Sequence, residues 1–114
     1  MFEYFIMANS FAAPFCSDDS TEYVNASTPN NALTKFAASY RHPAGLYSAV
    51  CYKSADDYYK KRDPLAKWLC NRAIKEQEVT EKLGAYSYMG ISPNAFEVDG
   101  KTYHVENPKQ GRVL

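Results

Sequence analysis

The sequence predicts a single α+β domain in which two to three helices pack on one mostly antiparallel sheet. Three observations lead to this prediction. Short apolar segments are typical of strands, other segments combine helical periodicity with capping residues, and an Asp99-Gly100 pair separates two alternating segments near the C-terminus. Because 114 residues is the usual size of one domain, we assign residues 1–114 to one domain with one hydrophobic core.

The first half of the chain is expected to contain two strands and a helix. Residues 2–9 carry apolar side chains on both strand faces, which is typical of a central strand covered on both sides. A short strand follows over residues 21–26. Thr28 then predicts a helix N-cap with Pro29 at the first helical position, and this helix is expected to end near His42.

The second half is expected to continue with a strand over residues 46–53 and a short helix that begins at Ser54. A long helix is predicted from Pro64 to about Leu83, ended by Gly84. Three further segments are expected to be strands, over residues 86–91, 95–98 and 101–105. The expected order is therefore β-β-α-β-α-α-β-β-β, with a type I′ turn at Asp99-Gly100 because both positions of that turn need positive φ.

The charge balance and residue counts exclude several chemistries. Thirteen basic and thirteen acidic side chains cancel, so no global positive field is available to hold duplex nucleic acid. The five glycines occur singly, which argues against a phosphate-cradling loop. Two histidines without ligand spacing match no metal motif. We therefore predict no metal and no cofactor.

The N-terminal segment is apolar enough to resemble a signal peptide. However, Glu3 stands where a positive charge is required, and Asn9 and Ser10 interrupt the apolar run, so a buried strand is favoured. No segment approaches the ~20 apolar residues that cross a bilayer, which predicts no membrane association. The three cysteines form no Cys-x-x-Cys pair and are expected to be reduced in a cytoplasmic protein; they are Cys16, Cys51 and Cys70.

The aromatic content suggests a binding function. Ten tyrosines and six phenylalanines supply more ring surface than one core normally needs. This surplus favours either a stacking site or a subunit interface. The alternative is a tyrosine-rich sheet whose hydroxyl groups lie at the water boundary.

The predicted long helix places Arg72 and Glu76 in the middle of its apolar stripe, where an i,i+4 ion pair can form. In one interpretation the pair is solvated and contributes about 0.3 kcal/mol. In the other, Glu76 holds Arg72 ready to receive an anionic ligand or a partner chain.

A second candidate site combines rings with cations in the run Tyr58-Tyr59-Lys60-Lys61-Arg62, with Tyr40-Arg41-His42 as a possible companion and a basic C-terminal arm. Rings can stack on a base while guanidinium groups hold a phosphate. Neighbouring aspartates weaken this signal. The predicted ligand-binding residues are Tyr40, Arg41, His42, Tyr58, Tyr59, Lys61, Arg62, Arg72 and Arg112.

Two catalytic arrangements are also considered. The hairpin places His104 diagonally opposite Glu97, which could form a His–carboxylate pair that acts as a general base. A cysteine nucleophile would need Cys51 or Cys70 close to a histidine, and no spacing requires that proximity.

These observations support three functional hypotheses. The leading hypothesis is a non-enzymatic binding protein, a homo-oligomer that holds a nucleotide-like or other anionic small ligand at an aromatic and arginine-lined site. The second is a protein inhibitor or adaptor that uses the same surface as an interface. The third is a small enzyme that uses the His–carboxylate or Cys–His pair.

Overall fold

A computed structural model of the chain describes residues 1–12, 19–84 and 87–114. Within these residues the elements are β1 (Phe2–Ser10), β2 (Asp19–Ala26), α1 (Pro29–Ser39), β3 (Leu46–Tyr52), α2 (Ala55–Tyr59), β4 (Ala66–Cys70), α3 (Asn71–Leu83), β5 (Tyr88–Ser92), β6 (Ala95–Val98), β7 (Lys101–His104) and β8 (Gly111–Val113). The α+β class is confirmed, and the predicted elements occur in the predicted order. β4 and β8 are additional. Two parts of the prediction, Cys16 and Tyr86, lie outside the described residues.

The strands form two antiparallel sheets, so the prediction of a single sheet is wrong. The main sheet has the order β2-β1-β3-β4-β8, and the small sheet has the order β5-β6-β7. α3 separates β4 from β5 along the chain, and among the described strands those of the small sheet pair with one another and not with the main sheet. Residue patterns reveal strands but not their partners, which explains the error.

The long helix begins seven residues later than predicted, because residues 66–70 form β4 between β3 and β8. Trp68 and Leu69 point to opposite faces of this strand and both are buried. Leu65, which falls within the predicted helix, precedes β4 and is 49% exposed. A short apolar run is compatible with the periodicity of a helix or of a strand, and pairing within the sheet makes this segment a strand. The predicted end at Gly84 is confirmed by its φ of 79° and its N–H bond to the Thr80 carbonyl oxygen.

The main core lies between α1 and one face of the main sheet. Thr28 caps α1 as predicted, its Oγ1 accepting from the Asn31 N–H at 3.1 Å. Leu33 and Phe36 of this helix pack in one cluster with Ile6 of β1. α1 ends at Ser39, three residues before the predicted end, with extended backbone at the following residue.

A second, smaller core lies between α3 and the small sheet, contrary to the expectation of one core. It consists of the buried residues Val79, Phe96, Val98 and Val105. The turn between β6 and β7 is confirmed, with φ of 50° at Asp99 and 83° at Gly100. The molecule is elongated, measuring 47 × 27 × 25 Å, because the two cores lie side by side rather than merging.

The main sheet is joined to the part that contains α3 and the small sheet at the place where β4 meets β8. Cys70 of β4 pairs directly with Gly111 of β8, and the Asn71 N–H donates to the Gln110 carbonyl oxygen at 2.6 Å. The Cys70 Sγ caps α3 by accepting from the Ala73 N–H at 3.3 Å. Among the described helices, none is both long and apolar enough to cross a membrane.

Candidate functional site

Five aromatic rings form a cluster on the face of the main sheet that lies away from α1. Phe5 of β1 stands in register between Tyr23 of β2 and Tyr52 of β3. Tyr58 and Tyr59 of α2 pack against this row, with the Tyr58 ring centroid 5.4 Å from those of both Phe5 and Tyr52. Phe5 is only 4% exposed because its aromatic neighbours cover it. We call these five residues the aromatic cluster.

The cations next to the aromatic cluster are mostly engaged. Arg62 donates to the Asp57 carboxylate at 2.9 Å, and Lys60 lies 3.2 Å from the Asp56 carboxylate. Lys61 is exposed and has a positive φ of 56°. The cluster therefore offers exposed rings, of which Tyr59 is 72% exposed, but little uncompensated positive charge.

The other predicted ligand residues lie apart from this cluster. The Tyr40 ring stacks against His42 with centroids 6.3 Å apart, and Tyr40 packs on the α1 side of the main sheet. Arg41 donates to the carbonyl oxygens of Ala38 and Tyr40 at the end of α1. Arg112 lies on β8, at the opposite edge of the sheet from β2. The nine predicted residues therefore do not converge on one site.

Arg72 occupies the first turn of α3, and its side chain is 7% exposed. The predicted ion pair with Glu76 is confirmed, but the solvated interpretation of it is wrong, because both side chains are largely buried. Arg72 Nη1 donates to the carbonyl oxygens of Ser92 and Pro93, and Nη2 donates to the Tyr88 hydroxyl at 2.9 Å. Four hydrogen bonds to protein acceptors therefore use the guanidinium group, which leaves little of it for a ligand.

Glu76 completes this polar network by accepting from the hydroxyl groups of Tyr47 and Tyr88, each at 2.9 Å. Burial, reinforced by the negative charge of Glu76, raises the pKa of Tyr47 far above its ordinary value. Burial also raises the pKa of Tyr88. Burial alone would lower the pKa of Arg72, but its hydrogen bonds to Tyr88 and Glu76 outweigh that effect and raise it. We call these four residues the Arg72 network; it attaches the small sheet to α3 and the main sheet.

The catalytic arrangements gain no support from the geometry. His104 and Glu97 are diagonal neighbours as predicted, but no hydrogen bond joins them within the described chain. Cys51 and Cys70 are fully buried, and burial raises the pKa of the Cys51 thiol to about 11. Buried thiols of this kind are poor nucleophiles. Across the described ranges, no three His, Cys, Asp or Glu side chains are grouped to hold a metal ion.

A concave site lies between α3 and β7, and it was missed from the sequence. This cleft has a volume of about 340 Å³ and is lined by Lys75, Glu78, Val79, Lys82, Leu83, Lys101 and Tyr103. Lys75 and Lys82 are seven residues apart on one face of α3, whereas Lys101 and Tyr103 are alternate residues of β7. We call it the α3–β7 cleft. Val79 forms an apolar floor that is continuous with the small core.

The α3–β7 cleft carries uncompensated positive charge. None of Lys75, Lys82 and Lys101 takes part in the ion pairs found in the described part of the chain. Glu78 is the single acidic residue among the lining side chains. The cleft therefore combines three available cations with one half-buried aromatic ring, a set of groups suited to a small anion.

The sequence shows the helical and strand spacings that place these residues. It does not show which face of the hairpin packs against which face of α3. Comparison with known proteins adds no assignment, since no protein-family model, curated protein or solved structure matches this chain.

Proposed function

We propose that this chain is a non-enzymatic binding protein that holds a small anionic ligand in the α3–β7 cleft. The observation that carries the proposal is the convergence of Lys75, Lys82 and Lys101 on a cavity of about 340 Å³ without ion-pair partners among the described residues. This volume lies within the range of small-molecule sites, near its lower end.

The charge of the lining residues and the elements that carry them both favour an anion in the α3–β7 cleft. Three lysines outnumber the one carboxylate, Glu78, among the lining residues, so the lining has a net positive formal charge even though the chain as a whole is neutral. The lysines lie on two separate elements, α3 and β7, and Val79 of α3 is buried in the core that these elements share. Arg62 and Arg72, by contrast, already bond to protein carboxylates.

Calorimetric titration with inorganic pyrophosphate at low salt tests the proposal. We expect measurable binding that weakens as salt is added, because the lysines are solvent-accessible and salt screens their charge. The double substitution Lys75→Gln with Lys82→Gln should weaken binding at least tenfold. Lys67→Gln, an exposed lysine on β4, is the matched control and should change nothing. Equal binding by the double variant and the wild type would show that the cleft is not the site.

A second candidate function is self-association through the aromatic cluster. Its specific support is the exposure of Tyr23 (55%) and Tyr59 (72%) beside three further rings, because exposed aromatic residues are enriched at protein interfaces. Light scattering at two protein concentrations tests it. A mass that rises with concentration in the wild type, but stays monomeric in Tyr59→Ser, would support a homo-oligomer. A concentration-independent monomer mass in the wild type would remove this candidate.

A further inference from the structure

Tyr103 is held in a fixed orientation at the wall of the α3–β7 cleft. Its ring stacks on Phe96 with centroids 5.6 Å apart and planes inclined by 20°. Phe96 is fully buried, and the Arg72 guanidinium lies 5.1 Å from its ring centroid. Tyr103 is therefore part of a packed series of flat groups, and it would not need to be ordered when a ligand arrives.

Within the protein, the ammonium group of Lys101 lies over the Tyr103 ring, with Nζ 5.4 Å from the ring centroid. Lys101 is exposed and forms no ion pair among the described residues. A cation–π contact of an exposed lysine is weak, so another flat group can displace it. The displaced ammonium would then be able to pair with an anion in the same cleft.

We infer that the ligand of the α3–β7 cleft is a single nucleotide whose base stacks on Tyr103 in place of the Lys101 ammonium. The inference rests on the proposed function and specifies the ligand class. The phosphates contact Lys75 and Lys82 on α3, and Lys101 moves from the ring to the phosphates. Glu78 is the one carboxylate acceptor in the cleft and suits the hydroxyl groups of the sugar.

The size of the cleft favours one nucleotide over a longer ligand. Its volume of about 340 Å³ is near the lower end of the range of small-molecule sites, roughly 300–1,000 Å³. The neutral charge of the whole chain likewise gives no extended basic track along which a polynucleotide could bind.

Calorimetric titration of the full chain with inorganic pyrophosphate, with adenosine, and with the diphosphates of adenosine, guanosine, cytidine and uridine tests the inference. At least one nucleoside diphosphate should bind about tenfold more tightly than pyrophosphate, because stacking on an aromatic side chain adds that much affinity. Adenosine should bind more weakly than the diphosphates, since it lacks the charge that the lysines recognise.

Variants separate stacking from charge. Tyr103→Leu should bring the nucleotide affinity down to that of pyrophosphate. Because Tyr103 packs on Phe96, this variant could disturb the small sheet, so Lys101→Gln is the second test. It should weaken pyrophosphate while leaving the preference for the nucleotide unchanged or larger. Tyr59→Leu, which removes an exposed ring of the aromatic cluster, is the matched control and should leave the preference intact.

The outcomes distinguish the inference from the function on which it rests. If pyrophosphate binds as tightly as every nucleoside diphosphate, the nucleotide inference is overturned and anion binding stands. Loss of the preference in Lys101→Gln or in Tyr59→Leu would also overturn it, because the selectivity would then come from a lysine or from the other aromatic site. If no anion binds, both proposals are wrong.

Discussion

The two sheets of this protein are stabilised by different kinds of interaction. The cluster that holds α1 on the main sheet has fourteen buried residues, one of them Ala73 of α3, whereas the cluster between α3 and the small sheet has only four. The small sheet is attached by the Arg72 network instead, through hydrogen bonds from Arg72 to Ser92, Pro93 and Tyr88. Apolar burial is non-directional and additive, while a buried polar network is effective only when every member has a partner.

The two sheets are expected to differ in local stability. The small sheet buries little apolar surface, and β5, one of its edge strands, is exposed along its whole length. Such regions open with a lower free energy than core strands. We therefore expect the small sheet to open before the main sheet, and the α3–β7 cleft lies at the boundary of this less stable part.

The largest effect is expected from the main core. Leu33→Ala should lower the free energy of unfolding by about 3 kcal/mol, because Leu33 is fully buried between α1 and the main sheet. Urea denaturation followed by the fluorescence of Trp68, the single tryptophan, measures it. Leu65→Ala, at a residue that is 49% exposed, should change the value by less than about 0.5 kcal/mol. Equal costs at the two positions would contradict the assignment of the core.

The next effect should be confined to the small sheet. Arg72→Met should cost about 2–3 kcal/mol, because Glu76 is left without its cation and two carbonyl oxygens lose a donor. Hydrogen exchange should show lost protection in β5–β7 and retained protection in β1 and β3. Arg62→Met, at a side chain that is 59% exposed, should cost less than about 1 kcal/mol. Uniform loss of protection in both sheets would contradict a separate attachment.

Two glycines, one from each sheet, sharpen the comparison. A Cβ at Gly111 of β8 would overlap the Leu69 carbonyl oxygen and the Trp68 indole, whereas one at Gly90 of β5 would make only ordinary contacts, the nearest 3.5 Å from Arg72. Gly111→Ala should therefore cost about 2 kcal/mol and shift the Trp68 emission. Gly90→Ala should stay within about 0.5 kcal/mol of the wild type. The reverse order would contradict the close approach of Gly111 to Trp68 and Leu69.

The smallest effect is expected from Tyr47→Phe, which removes a hydrogen bond to Glu76 and should cost about 1 kcal/mol near neutral pH. The raised pKa of Tyr47 means that the folded protein retains a proton that the unfolded chain releases above the ordinary value of 10.0. Wild-type stability should therefore fall as the pH rises through and beyond 10.

Denaturation at a series of pH values checks this expectation. Burial also raises the pKa of Cys51, to about 11, so part of the alkaline loss persists in the variant. The difference between wild type and Tyr47→Phe should be constant from neutral pH to about pH 9 and should shrink above pH 10. A difference that stays constant across the whole range would show that Tyr47 does not contribute to the alkaline loss.

Local signals in the sequence predicted the fold best. Thr28-Pro29, Gly84 and Asp99-Gly100 act through their own backbone geometry, and the structure has a helix start, a helix end and a tight turn there. The prediction of a helix over residues 66–70 was wrong. The apolar run fits a helix or a strand, and pairing with β3 and β8 makes it a strand. Pairing is a long-range property that no local pattern contains.

The candidate site was less accessible to prediction than the fold. The sequence correctly paired Arg72 with Glu76, but whether that pair is buried depends on Ser92 and Pro93, about twenty residues later. The aromatic cluster likewise depends on the contact between Phe5 and Tyr58, which are far apart in the sequence. A run of adjacent residues such as Tyr58 to Arg62 shows only which residue types are present locally. A cleft is formed by residues from separate elements, so such a run does not predict it.

The direct pairing of Cys70 with Gly111 has a consequence for how this chain could be altered. The polypeptide leaves the main sheet and re-enters it at adjacent points, so everything between them has the topology of an insertion. A segment of that kind can be lengthened, exchanged or replaced by a short loop without changing the order of the strands around it. The α3–β7 cleft lies within this segment, so the lining of the proposed site could change while the five-stranded main sheet keeps its order.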